Sequence, residues 1–159
     1  MYVELRRPDG TLAGEDTGEG PALLLLHAGG ERRAVWAPVS ERLARHGLRS
    51  VAYDLRGHGE SSAAGADRLE TLSGDVAAML STFDVPPVVA GASIGGLAAV
   101  HALADPAVEE RCAGLVLVDV VPAPPPEAVD EYLAPRGMAD HPLVAEVLGR
   151  ADAHGVSLP

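Results

Sequence analysis

The run Val88-Val89-Ala90-Gly91-Ala92-Ser93-Ile94-Gly95-Gly96-Leu97-Ala98-Ala99-Val100 decides how the rest of this 159-residue chain is read. The β-branched pair Val88 and Val89 opens a strand, and the Ala- and Leu-rich residues after Gly96 continue as helix. Ser93 therefore falls on a sharp strand-to-helix turn. Glycines two before and two after the serine suit a backbone that passes too close to its neighbours for a Cβ. Such a turn pushes Oγ into the open and aims the N–H groups of the helix start at whatever Oγ attacks. A tetrahedral oxyanion can be held there. Two other readings stand beside this one. The glycines can simply open a tightly packed helix, or the segment can be a dinucleotide-binding turn with Asp119 as its later acid. That turn needs Gly-x-Gly-x-x-Gly, and Ser93 occupies the place of the glycine that lets a pyrophosphate approach.

Working outward, apolar runs at residues 22–26, 48–55 and 114–121 predict further strands, each buried in a mostly parallel sheet. The first ends at His27-Ala28-Gly29-Gly30. The second runs into the polar loop Arg56-Gly57-His58-Gly59-Glu60-Ser61-Ser62, and the third carries Asp119. Residues 3–7 and 11–15, joined by Pro8-Asp9-Gly10, read as an antiparallel hairpin. Between the strands, residues 35–46 predict a helix burying Val35, Trp36, Val39 and Leu43, closed by Gly47. Thr71 is expected to cap a second helix whose stripe is Leu72, Val76, Met79, Leu80 and Phe83. Pro86-Pro87 halts the chain before the Ser93 strand, and the helix after Ser93 is expected to end near Asp105-Pro106. Alternating strands and helices give an α/β class with a doubly wound sheet and helices on both faces. Pro122-Ala123-Pro124-Pro125-Pro126 is a stiff connector leading to two short amphipathic segments, 127–133 and 142–149.

The composition narrows the function classes. A net charge of −11, with no basic run, opposes nucleic-acid or anionic-membrane partners. No apolar run reaches membrane-spanning length, and Arg6 and Arg7 sit where a signal peptide would need an apolar core. The single cysteine, Cys112, excludes an internal disulfide. A cytoplasmic protein is expected.

Three motifs in order resemble the α/β-hydrolase fold superfamily, especially its esterase, lactonase, epoxide hydrolase and cofactor-free haloperoxidase members. They are Leu26-His27-Ala28-Gly29-Gly30, then Asp54-Leu55-Arg56-Gly57-His58-Gly59-Glu60-Ser61, then Gly91-Ala92-Ser93-Ile94-Gly95-Gly96. The resemblance implies that residues 1–122 form the N-terminal six strands of the fold and 123–159 a connector with part of a lid. It implies a small-molecule ester or lactone as substrate, Ser93 as nucleophile, and the N–H groups of Gly29 and Ile94 as oxyanion donors. Neither cofactor nor metal is implied. Ala28 stands where the family commonly has glycine. His27 and the loop 56–62 are implied to shape the oxyanion turn and to brace the sheet end beside the pocket.

A serine nucleophile needs a histidine to take its proton and an acid to orient that histidine. Asp119 resembles the acid position of one branch of the superfamily; its other reading is an anchor for the connector. No histidine matches by motif. His101 is eight residues past Ser93, and His46, His141 and His154 read as exposed. The family's order places the histidine after strands that lie beyond Pro159, so the chain is expected to be truncated, with little turnover by itself. A second reading is a non-catalytic small-molecule binding or interaction module. Truncation would also leave 114–121 as an apolar edge able to pair with a second copy.

Overall fold

In a computed structural model, which describes residues 1–64, 66 and 68–120, six strands form one sheet. They are β1 (Tyr2–Arg7), β2 (Gly10–Thr17), β3 (Ala22–Leu26), β4 (Arg49–Tyr53), β5 (Val88–Ala92) and β6 (Gly114–Val118), in the order β1-β2-β4-β3-β5-β6. β1 and β2 are the expected hairpin, with Arg7 opposite Gly10. β2 joins β4 antiparallel, and from β4 onward all neighbours are parallel. The continuous leucine run of β3 sits mid-sheet between β4 and β5, and Leu24, Leu25 and Leu26 are essentially inaccessible.

The two faces differ in cover. On one, α2 (Leu69–Leu80) and α3 (Ile94–Ala102) pack Leu72, Val76, Met79, Ala98 and Ala99 onto Leu24, Leu26, Val51, Tyr53 and Val89. On the other, a smaller cluster of Leu25, Ala52 and Ala90 lies with Leu23 under Trp36. Trp36 closes a 3₁₀ turn, Arg33–Trp36, that leads into α1 (Ala37–Arg45). The helix expected over 35–46 is thus divided. Pro38 sits in the first turn of α1, where its fixed φ suits a helix start. Val35 and Val39, expected to be buried, are 47% and 41% exposed.

Two further expectations are corrected. Thr71 is not the cap of α2, because Arg68 holds that position and the buried Leu69 already belongs to the helix. The strand expected over 114–121 ends at Val118 and is not buried. Its only sheet neighbour among the described residues is β5, and Val116 and Val118 are 49% and 43% exposed. An apolar run reads alike at the centre and at the edge of a sheet, so the sequence could not separate the two. A short α4 (Pro106–Glu109), capped by the Asp105 carboxylate on Ala107 N–H at 2.9 Å, follows α3. The connector, both later amphipathic segments, His141 and His154 lie outside the described residues.

Candidate active site

Each parallel strand delivers a polar residue at the first position past its carboxyl end: His27 after β3, Asp54 after β4, Ser93 after β5 and Asp119 after β6. This is the edge at which open α/β sheets take ligands. Among the described residues, two of the four side chains are tied into the structure and two are not.

Ser93 stands at φ 47°, ψ −116°, a conformation that side chains other than glycine's rarely adopt. Its own N–H donates to the Val118 carbonyl at 3.0 Å, and its carbonyl receives Leu97 N–H at 3.0 Å, so both sides of the turn are fixed. The flanking glycines are required by close approach. A Cβ on Gly91 would meet the Gly96 Cα at 2.6 Å, and one on Gly95 would meet the His27 carbonyl oxygen at 2.7 Å. Gly29 lies beside the turn, its Cβ direction ending 3.8 Å from the Ile94 side chain. Neither Gly29 N–H nor Ile94 N–H has an acceptor among the described residues, and no described side chain hydrogen-bonds Ser93 Oγ. Unused donors beside an unused hydroxyl are the elements of an oxyanion site.

His27 and Asp54 are spent. Asp54 is wholly buried, and its carboxylate accepts Arg33 N–H at 2.6 Å, Glu60 N–H at 2.9 Å and the Arg33 guanidinium. His27 Nε2 accepts Leu55 N–H at 2.9 Å, which puts the proton on Nδ1, where it is donated to the Ala28 carbonyl at 2.8 Å. Burial pushes the His27 imidazole below its usual range, with the Ala28 hydrogen bond opposing. His58 is used in the same way by Gly30 N–H and the Arg56 carbonyl. His46 caps the far end of α1, and His101 lies roughly 12 Å up α3 from Ser93. Among the described residues no histidine offers Oγ a spare nitrogen.

Asp119 follows β6 with φ 52°, exposed, next to the Val118 carbonyl that receives Ser93 N–H. The structure thus brings Ser93, Gly29, Ile94 and Asp119 to one end of the sheet. It leaves Asp119 without a hydrogen-bond partner among the described residues.

A family model described as alpha/beta hydrolase fold matches residues 21–143. The chain belongs to that family. Protein phosphatase methylesterase 1 of Mus musculus is 42% identical over 110 residues, covering 65% of this chain and 28% of that protein. Pimeloyl-(acyl-carrier protein) methyl ester esterase of Vibrio vulnificus is 39% identical over 84 residues, covering 53% of this chain and 31% of that protein. A solved mutant of potato epoxide hydrolase superposes with a TM-score of 0.71 at 26% identity, covering 87% of this chain and 46% of that one. The chain thus spans about a third of the length of these curated alpha/beta hydrolase relatives.

Within this alpha/beta hydrolase chain, sequence reasoning missed the partners that hold the 54–62 loop. Arg56, 1% exposed, forms a bidentate pair with Asp75 of α2 at 2.7 and 2.8 Å, and Arg7 of β1 joins the same carboxylate at 2.9 Å. These hydrogen bonds hold the Arg56 guanidinium above its usual pKa. A polar Asp75 inside the apolar stripe of α2 was the available signal.

Proposed function

We propose that this chain carries the nucleophile and the oxyanion site of an ester hydrolase acting on carboxylic methyl esters. The strained Ser93 turn, beside two N–H groups that have no acceptor among the described residues, supports this reading most directly. Ser93 Oγ adds to the ester carbonyl carbon, and the charge that moves onto the carbonyl oxygen is received by Gly29 N–H and Ile94 N–H. Collapse expels the alcohol, which takes up the serine proton and leaves the acyl group on Oγ. Water then adds to the acyl carbon, the acid departs, and Oγ regains its proton. The methyl ester preference comes from two relatives whose names carry it.

Asp119 is the carboxylate we assign to orient a base for Ser93, but no described histidine stands between them. The chain should therefore acylate slowly and turn over little. After exposure to p-nitrophenyl acetate, peptide mapping by mass spectrometry should find one acetyl group on Ser93 and none in Ser93→Ala. Acetyl groups spread over other side chains and unchanged in Ser93→Ala would favour a binding module instead.

Three collateral features belong to the same reading. The apolar edge of β6 supports pairing with a second copy, reduced by Val116→Lys and checked by light scattering at micromolar concentration. The lone Cys112 fits a reducing, cytoplasmic location. No helix among the described residues is long and apolar enough to cross a membrane.

A further inference from the structure

Ala28, Gly29 and Gly30 form a turn whose backbone is gripped from both sides by imidazoles. His27 Nδ1–H donates to the Ala28 carbonyl at 2.8 Å, while Gly30 N–H donates to His58 Nε2 at 3.1 Å. The far sides of the two rings are fixed to the neighbouring loop. His27 Nε2 accepts Leu55 N–H at 2.9 Å, and His58 Nδ1–H donates to the Arg56 carbonyl at 3.1 Å. Each ring therefore accepts one N–H and donates to one carbonyl, which only a neutral imidazole protonated on Nδ1 can do. The rings themselves meet edge to face, with centroids 5.1 Å apart.

The Ala28 carbonyl and the Gly29 N–H are the two ends of one peptide group. In a trans peptide they point in opposite directions, and no peptide bond among the described residues is cis. Tying the carbonyl to His27 therefore turns Gly29 N–H away from His27, and the Ile94 side chain lies beside Gly29, 3.8 Å from its Cβ direction. The next peptide is tied by its N–H to His58, so the intervening Gly29 cannot rotate freely despite having no side chain. Gly30 itself stands at φ +78°, in the left-handed region open to glycine, and this sets the direction in which the chain leaves the gripped peptide.

We propose that His58 is a positioning residue for the oxyanion turn: its neutral ring, by receiving Gly30 N–H, keeps Gly29 N–H aimed beside Ile94. This rests on the esterase reading of Ser93 only for its catalytic consequence. A proton on Nε2 would face the Gly30 N–H with a second donor, and the grip on the turn would be lost. His58 is half-buried and lines an open cleft with Gly30, Glu31 and Arg32, so solvent reaches the ring. The charged and titratable groups around it are Glu31 and Arg32 from the turn, Asp54 with Arg33 and Glu60 from the loop beneath, and His27 at its edge.

The test uses the whole 159-residue chain, ¹⁵N-labelled, as wild type, His58→Ala and His58→Gln. In the wild type the Gly30 amide should be protected from solvent exchange by its bond to His58 Nε2. In His58→Ala the Gly30 amide should exchange with solvent on the order of ten-fold faster, the effect of one lost hydrogen bond. The glutamine carbonyl of His58→Gln can accept the same N–H and should restore much of the protection. Ser93 acetylation should slow on the order of ten-fold in His58→Ala, less than the hundred-fold or more expected for deleting an oxyanion donor. A Gly30 amide no less protected in His58→Ala than in the wild type would overturn the proposal, as would a changed Gly30 amide with unchanged acetylation. If the wild type fails to acetylate at all, the esterase reading falls, and the Gly30 amide still decides whether His58 holds the turn.

Discussion

The loop 54–62 and the turn around Ser93 look equally catalytic on paper, since each gathers glycines, a hydroxyl and a charged or nucleophilic group at a strand end. In the structure they are opposites. In the loop the polar groups are consumed: Asp54 by Arg33 and Glu60, Arg56 by Asp75, Ser61 by Asp54 and Ala13, and Ser62 by Thr11. At the Ser93 turn the backbone is strained, and among the described residues two N–H groups have no acceptor and the hydroxyl has no partner. Chemistry needs groups whose bonding capacity is unspent, whereas stability comes from groups whose capacity is spent. The two regions should therefore respond to substitution in opposite senses.

The largest effect is expected at Asp75→Ala. Removing one partner leaves Arg56 charged and buried, which costs about 3–5 kcal/mol, read as a drop in the urea midpoint. Replacing Arg56 by Met and Asp75 by Leu together should recover much of that loss, because the buried charge is gone and only the part-exposed Arg7 and the exposed Asp9 lose a partner. A near-neutral Asp75→Ala would mean that the loop is not held as described.

His27 comes next, and its effect depends on pH. Burial lowers its pKa in the folded chain, so the unfolded chain binds the proton more readily. The stabilisation by neutral His27 is full above about pH 6.5 and is lost as pH falls from there towards the lower folded value. The wild-type melting temperature should fall over that window, and the His27→Gln curve should be flatter. At neutral pH, His27→Gln should cost about 1–3 kcal/mol for buried groups left imperfectly paired. A wild-type melting temperature that rises on acidification would contradict this.

At Ser93 the sign reverses. Ser93→Gly removes strain worth about 1–3 kcal/mol and adds the entropy cost of glycine, about 0.5–1 kcal/mol. A gain of roughly 1 kcal/mol is expected in the denaturation midpoint, together with loss of acetylation. The smallest effect is expected at Asp119→Asn. Asparagine tolerates the left-handed region, and no described group pairs with the carboxylate, so stability should stay within about 0.5 kcal/mol and acetylation within a few-fold. A large loss of acetylation at unchanged stability would instead make Asp119 part of the working triad in this chain.

What the sequence disclosed follows the range of the physics involved. β3 is legible to the residue, because an apolar run of 5 residues between Pro21 and His27 is too short for a helix and marks a strand, which the structure sets mid-sheet. The Ser93 turn is legible because its steric demands fall on neighbours two positions away, Gly91 and Gly95. The Arg56–Asp75 and Arg33–Asp54 pairs join residues 19 and 21 positions apart, and no local period announces them. The exposure of Val35 and Val39 was equally hidden, because it depends on what lies over the 3₁₀ turn and α1 and not on the pattern within them. The bracing role implied for His27 and the 56–62 loop is matched by their hydrogen bonds, though the atoms that do the bracing were not legible.

The most direct test is the p-nitrophenolate released by this chain on mixing with p-nitrophenyl acetate, followed alongside Ser93→Gly. The wild type should release one equivalent per chain in a slow burst and then nearly stop, and the more stable Ser93→Gly should release none. A burst that survives in Ser93→Gly would contradict Ser93 as the group left free for chemistry, and sustained Ser93-dependent turnover would show that a histidine in this chain serves as base after all.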